Sequence, residues 1–259
     1  MAGAAVRAQE MGGVLEQPIA ETPIAVVDFE ATGPRPDEDH VIEVAVVRLE
    51  PSGSTEAGAW FEESRVVLDS VIAPAGGVDD NGVGASHVHK LTTDDLVGAP
   101  AFEALWPELE AALGGAVFAA YNVLADVTML ETALGRAAIE APPLPTLCAL
   151  RVRTMAGLGR PVGLGKASAK AGIEIEGRHS ALGDALATAE LVRRSMAALA
   201  ERNVVTWADL RRVKRHTYMR TLANGLWPVV ETPTASVAKQ RRQIETHAAT
   251  GQTQEAAHE

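Results

Sequence analysis

Asp28 and Glu30 stand two residues apart at the end of a short apolar run, Ile24–Glu30 (Ile-Ala-Val-Val-Asp-Phe-Glu). The run is rich in β-branched residues and bounded by Pro23 and Gly33, which reads as a buried strand. Side chains alternate along a strand, so both carboxylates fall on one face, at its C-terminal end. Two adjacent carboxylates repel unless a cation lies between them. Oxygen-rich sites of this kind suit Mg²⁺ or Mn²⁺. The same spacing also fits a solvated acidic pair where a strand ends.

Two later carboxylates favour the first of these readings. Asp126 lies three residues after Val123 and four before Leu130, so it shares the apolar helix face of Val123, Val127, Leu130 and Leu134. An inward-facing charge is costly without a partner, and a metal at the strand ends would be one. The alternative is a first-turn Asp favoured by the helix dipole. Asp184 shares its packing face with Ala181, Thr188 and Leu191. His179, five residues earlier, does not stack on Asp184 along one helix. Placed in the loop after Gly177, it is free to approach a substrate, and an ordinary pKa of about 6.5 suits a general base. The other histidines read as surface residues, with a reservation for His89.

These side chains need elements to hold them. Strands are expected over Ile24–Glu30, Val41–Leu49, Arg65–Ile72, Ala116–Ala120 and Leu144–Leu150. Helices are expected over Ala101–Leu113, Val123–Leu134 with Asn122 as N-cap, Gly163–Ala171, Ala181–Ala200 and Trp207–Arg220. A three-stranded meander followed by alternating strands and helices implies an α/β domain with a mixed sheet. Residues 1–22 read as a flexible leader, 23–201 as the main domain, 202–230 as a basic helical extension and 231–259 as a disordered tail.

Charge is uneven along the 259 residues: 1–200 carry 14 Lys and Arg against 28 Asp and Glu, whereas 201–259 carry 9 against 6. Such an acidic body does not fit a protein that grips long duplex DNA, which needs many Lys and Arg contacts to phosphate. It leaves room for an enzyme holding one strand end, because bound cations offset acidic residues locally. The basic segment Arg211–Arg220 reads first as a solvated helix face. Contact with nucleic acid or a protein partner is the alternative. A single cysteine, Cys148, excludes an intrachain disulfide and suits a reducing cytoplasm. The leader contains no apolar run suited to a signal peptide or a membrane span.

The motifs together resemble the DEDDh (DnaQ-like) 3′–5′ exonucleases, the family of the proofreading epsilon subunit of DNA polymerase III and of RNase T. Asp28-Phe29-Glu30-Ala31-Thr32-Gly33 is similar to the first motif. Tyr121-Asn122-Val123-Leu124-Ala125-Asp126 is similar to the second, and His179-Ser180-Ala181-Leu182-Gly183-Asp184 to the third. His89-Lys90-Leu91-Thr92 resembles a His-Gly-Ile-Thr stretch found between the first two. Tyr121 and Ala125 depart from the family's His and Phe, and Lys90 from its Gly, which bears on packing beneath the site and on the fit of the terminal nucleotide.

The resemblance implies an RNase H-like fold, a five-stranded mixed sheet flanked by helices. It implies that Asp28, Glu30, Asp126 and Asp184 hold two Mg²⁺ or Mn²⁺ ions, with Asp28 touching both, Glu30 and Asp184 on the nucleophile side and Asp126 on the leaving-group side. His179 would be the general base. Ala31, Thr32 and His89 would bind the 3′-terminal nucleotide, although Thr32-Gly33 fits a plain turn equally well. The implied activity is release of nucleoside 5′-monophosphates from single-stranded 3′ ends in a proofreading or repair role, with DNA favoured. A DNA polymerase subunit is an implied partner. RNA trimming, or a non-catalytic binding module on the same fold, are the alternatives.

Overall fold

In the computed structural model, residues 17–213 are described, except 36–37, 55, 75–82, 85, 141–143 and 178. The greater part of the expected leader, the basic segment beyond Val213 and the expected tail therefore lie outside the described residues.

The sheet has five strands in the order β3-β2-β1-β4-β5. β1 (Ile24–Ala31), β2 (Val41–Leu49) and β3 (Arg65–Val71) form an antiparallel meander. β4 (Val117–Ala120) and β5 (Thr146–Cys148) continue it in parallel on the other side of β1. This is the five-stranded mixed sheet expected from the resemblance. β1 is central, and Ile24, Ala25, Val26 and Val27 are all fully buried, as a strand covered on both faces requires.

Alternation along β1 divides two hydrophobic layers. Ala25, Val27 and Phe29 pack on the side of α2 (Phe102–Leu113) and α3 (Val123–Arg136). Ile24 and Val26 pack on the other side, with α4 (Ala149–Met155), α5 (Leu164–Ala171) and α6 (Ala181–Ala200). Two further helices are short: α1 (Ser86–His89) and α7 (Trp207–Arg212).

Several expectations need correcting. The chain leaves β5 at Cys148 and turns at once into α4, where a strand was expected to run on to Leu150. Ala149, Val152, Arg153, Met155 and Ala156 are buried there, which is helical spacing. Asn122 stands at the N-cap position of α3, but its side chain makes no capping hydrogen bond. Residues 17–22, grouped with the leader by composition, belong to the packed body. Ile19 is fully buried and its N–H donates to the Val205 carbonyl (2.9 Å), while the indole N–H of Trp207 donates to Thr22 Oγ1 (3.0 Å). The start of the extension docks on the domain through the fully buried Trp207, which is no departure from the sequence reading, and α7 carries a capping box formed by Thr206 and Asp209. Among the described residues, no helix is long and apolar enough to cross a membrane.

Candidate active site

Asp28 and Glu30 continue the Ile24–Val26 face of β1, on the α6 side, at the end where apolar cover stops. Glu30 stands directly opposite Glu43 of β2 in the antiparallel ladder, and Asp28 opposite Ala45. The register shifts between Glu30 and Ala31, so the strand bends away immediately after the second carboxylate.

Asp126 comes from the layer on the opposite face. It sits in the first turn of α3 and is 7% exposed. Its Oδ1 accepts the N–H of Phe29 at 3.3 Å, which hooks the carboxylate onto β1 between Asp28 and Glu30. Asp184 occupies the equivalent place in α6. The preceding Gly183 is required there, because a Cβ at that position would lie 2.1 Å from the Glu176 carbonyl oxygen. That close crossing brings Glu176 and Gly177 over the start of α6.

His179 lies in this crossing segment with φ +64°, a left-handed conformation that a non-glycine residue adopts at a cost of about 1–2 kcal/mol. The turn is held internally. Ser180 donates its N–H (2.8 Å) and its hydroxyl (2.7 Å) to the Gly177 carbonyl, and Ser180 Oγ accepts the N–H of Gly183 (3.2 Å) as the N-cap of α6. The result is a meeting of three segments: donor atoms of Glu30, His179 and Asp184 all lie within 4.8 Å of one another.

The protonation of the carboxylates follows from this crowding. Burial pushes Asp28 well above the usual carboxylate range, and the charges of Asp126, Asp184, Glu30 and Glu43 push it further. Glu30 is raised to about 7 by burial, then by Asp184 and Glu43. Asp126 is raised by burial, offset in part by the Phe29 N–H and its own N–H. Four carboxylates and an imidazole, with no thiolate among them, make a donor set suited to hard divalent cations such as Mg²⁺ or Mn²⁺. The repulsion that adds to burial in raising Asp28 and Glu30 is what such a cation would relieve.

Glu43 was read from the sequence only as part of a strand. It is 8% exposed, and its Oε2 accepts the N–H of Ala181 at 3.0 Å. Burial raises it; that N–H opposes the rise, and Asp69 and Asp184 add to it. Its signal in the sequence is a glutamate on the same strand face as Ala45 and Val47, inside Val41–Val47, a stretch that is otherwise apolar.

Of the expected nucleotide-binding residues, Ala31 and Thr32 follow Glu30 directly, whereas His89 lies in a separate loop. Thr32 closes the loop that follows β1. Its N–H donates to the His40 carbonyl (2.9 Å), and its hydroxyl accepts the His40 N–H (3.0 Å) and donates to Asp39 (3.2 Å). A recess next to this turn is lined by Ala31, Gly33, Asp39, Met129, Thr132 and Arg136. Gly84, at φ +70°, presses on the same turn, since a Cβ there would lie 2.0 Å from the Thr32 carbonyl oxygen. His89, 3% exposed, spans its own loop: Nδ1 accepts the Leu91 N–H (3.1 Å), which leaves Nε2 to donate to the Val83 carbonyl (3.3 Å). Tyr121 donates its hydroxyl to the Val162 carbonyl, tying the loop after α4 to the end of β4.

A model of the Exonuclease family, RNase T type, matches residues 25–192, a span that holds all five clustered side chains. The chain belongs to the exonuclease family. A DNA polymerase III subunit epsilon-like protein of Rhodobacter capsulatus is 31% identical over 213 residues, covering 78% of this chain and 28% of the relative. The chain thus spans less than a third of that relative's length. Among solved structures, Exonuclease I of E. coli in complex with a dT13 oligonucleotide superimposes with TM-score 0.53 at 17% identity, over 67% of this chain and 40% of the other. A 3′-exonuclease that recognises the 3′ end of a histone mRNA stem-loop gives TM-score 0.51 at 16% identity, over 87% and 79%. At these identities the likeness is one of fold, the RNase H-like arrangement.

Proposed function

We propose that this member of the exonuclease family is an active, metal-dependent 3′–5′ exonuclease that removes nucleoside 5′-monophosphates from single-stranded DNA 3′ ends. The observation that carries the proposal is the convergence of Glu30, His179 and Asp184 donor atoms within 4.8 Å, beside Asp28 and Asp126. Asp28, Glu30, Asp126 and Asp184 would hold two Mg²⁺ or Mn²⁺ ions. When bound, the ions supply positive charge to the attacking and leaving oxygens of an in-line displacement.

The chain's own residues supply the rest. His179 stands in the turn before α6, beside Glu30 and Asp184, and takes a proton from the attacking water. The oxygen of that water bonds to phosphorus as the 3′-oxygen of the penultimate sugar leaves, so the phosphate stays on the released nucleotide. Asp126, fixed to the Phe29 N–H, keeps α3 against β1 while this happens. Ala31 and the Thr32 turn border the space for the terminal nucleotide, and His89 maintains the loop that packs against that turn.

DNA is favoured by the name of the epsilon-like relative, which also suggests a polymerase partner in a cytoplasmic proofreading or repair role. RNA trimming would use the same cluster, since the 2′-hydroxyl is read by pocket detail. The deciding experiment presents matched DNA and RNA oligonucleotides, labelled at the 5′ end, with Mn²⁺ or Mg²⁺. A ladder shortening from the 3′ end, abolished by EDTA, is expected, with DNA consumed faster. No cleavage of either polymer would leave a binding module as the better reading.

A further inference from the structure

Glu43 has a place in the fold that burial alone does not explain. It adds a fifth carboxylate beside Asp28, Glu30, Asp126 and Asp184, opposite Glu30 across the β1–β2 ladder, where negative charge already accumulates. Its Oε2 reaches 138 residues along the chain to accept the N–H of Ala181 at 3.0 Å, in a buried setting. Ala181 is the first residue of α6, two after His179 and three before Asp184.

The first N–H groups of a helix have no partner within it. Ser180 satisfies one of them from inside the same turn, through Gly183. A local cap of this kind shapes the helix end but cannot set where that end sits relative to the sheet. The Glu43–Ala181 bond can, because it runs from the strand beside Glu30 to the segment that carries both His179 and Asp184.

We propose, building on the exonuclease reading above, that Glu43 is a positioning residue. Its carboxylate oxygen fixes the His179 turn and the Asp184 end of α6 against β1, and it acts as a hydrogen-bond acceptor rather than as a charge.

The test pairs Glu43→Leu, which removes the acceptor, with Glu43→Gln, which keeps it and removes the charge. Glu43→Leu should lose about 100-fold in kcat, since small misplacements of reacting groups cost that much. Its KM should stay within about threefold, because the lost term is not ground-state binding. Glu43→Gln should remain within about threefold of wild type in kcat, the neutral acceptor replacing the charged one. In metal-free protein, amide exchange at Ala181 should be about tenfold faster in Glu43→Leu than in Glu43→Gln, reporting local opening.

Wild-type kcat in Glu43→Leu would overturn the proposal. So would a Glu43→Gln variant as slow as Glu43→Leu, or unchanged exchange at Ala181. Circular dichroism checks folding. If Glu43→Leu does not fold, Ala181→Pro deletes the donor instead, at a helix position where proline is tolerated, and the same loss of kcat at near-constant KM is expected. A wild-type protein without nuclease activity would remove the exonuclease reading, while the exchange measurement would still decide the role of Glu43.

Discussion

The Phe29 N–H donates to Asp126 Oδ1 across 3.3 Å, joining the first turn of α3 to the middle of the Asp28-Phe29-Glu30 tripeptide. Phe29 itself points into the α2–α3 layer while its two neighbours point to the α6 side. One residue thus anchors the hydrophobic layer, presents a backbone donor to one carboxylate, and separates two others.

Asp126→Asn should separate stability from chemistry. Asparagine can still accept the Phe29 N–H through its side-chain oxygen, and it removes a buried charge whose pKa is already raised by burial. The metal-free variant should therefore melt at or above the wild-type temperature. Its nuclease activity should fall by about 100-fold or more, a loss of roughly 2.7 kcal/mol in transition-state stabilisation. Thermal melts in EDTA and kcat in Mn²⁺ check the two halves separately. A clear drop in melting temperature would mean that the charge of Asp126 stabilises the fold.

The carboxylates predict how metal-free stability changes with pH. Glu30 titrates near 7 in the folded protein, above the ordinary 4.5, and Asp28 and Asp126 are raised as well. A folded-state pKa above the unfolded one means that the folded protein binds protons more tightly. The contribution of these groups is then most favourable below the unfolded pKa and is lost as pH rises through the folded value. In EDTA, melting temperature should fall as pH climbs from about 4.5 to 7, the interval between those two pKa values for Glu30. Saturating Mn²⁺ should raise the melting temperature most at the upper end, where the carboxylates are ionised. Equal stabilisation by Mn²⁺ at both ends would count against a carboxylate site.

Much of this site was legible in the sequence, for reasons that differ between residues. Asp28 and Glu30 stood out by two-residue spacing on an apolar strand, a pattern that a solvated acidic pair also fits, and Asp126 and Asp184 by sharing apolar helix faces. His179 was harder, because five residues from Asp184 fits no helical face. Its position depends on a left-handed turn and on the close crossing at Gly183, which only the folded chain reveals. Glu43 escaped because its partner is an N–H 138 residues away, and no local pattern marks a backbone donor. In the fold, β5 is shorter than the sequence suggests because Leu144–Leu150 is mostly apolar, and periodicity over so short a run cannot separate a strand from the first turn of α4. Ile19 shows the same limit: it looked peripheral by composition, and its burial arises from pairing the two ends of the domain.

His179→Asn should retain the fold and lose most of the activity. Asparagine is among the few residues that accept the left-handed conformation observed at 179, whereas alanine would confound loss of the base with strain. The melting temperature should match wild type. kcat should fall by about 100- to 10,000-fold, the usual range for removing a general base. The variant should still bind a 5′-labelled oligonucleotide in Mn²⁺ with wild-type affinity, read by fluorescence anisotropy. Retained turnover would transfer the base to another group.

Trp207→Ala should do the reverse. Trp207 is fully buried, and its indole N–H donates to Thr22, just before β1 begins. Asp28 and Glu30 lie at the other end of that strand, so the contact secures the domain far from the cluster. Truncating a buried tryptophan typically costs about 3–5 kcal/mol. A large drop in melting temperature is therefore expected. Below that temperature kcat and KM should be unchanged, because Trp207 secures the end of β1 opposite the Asp28 and Glu30 pair. A large kcat loss in protein still folded by circular dichroism would show that the α7 anchor reaches the site through β1, and that the two ends of the strand are coupled.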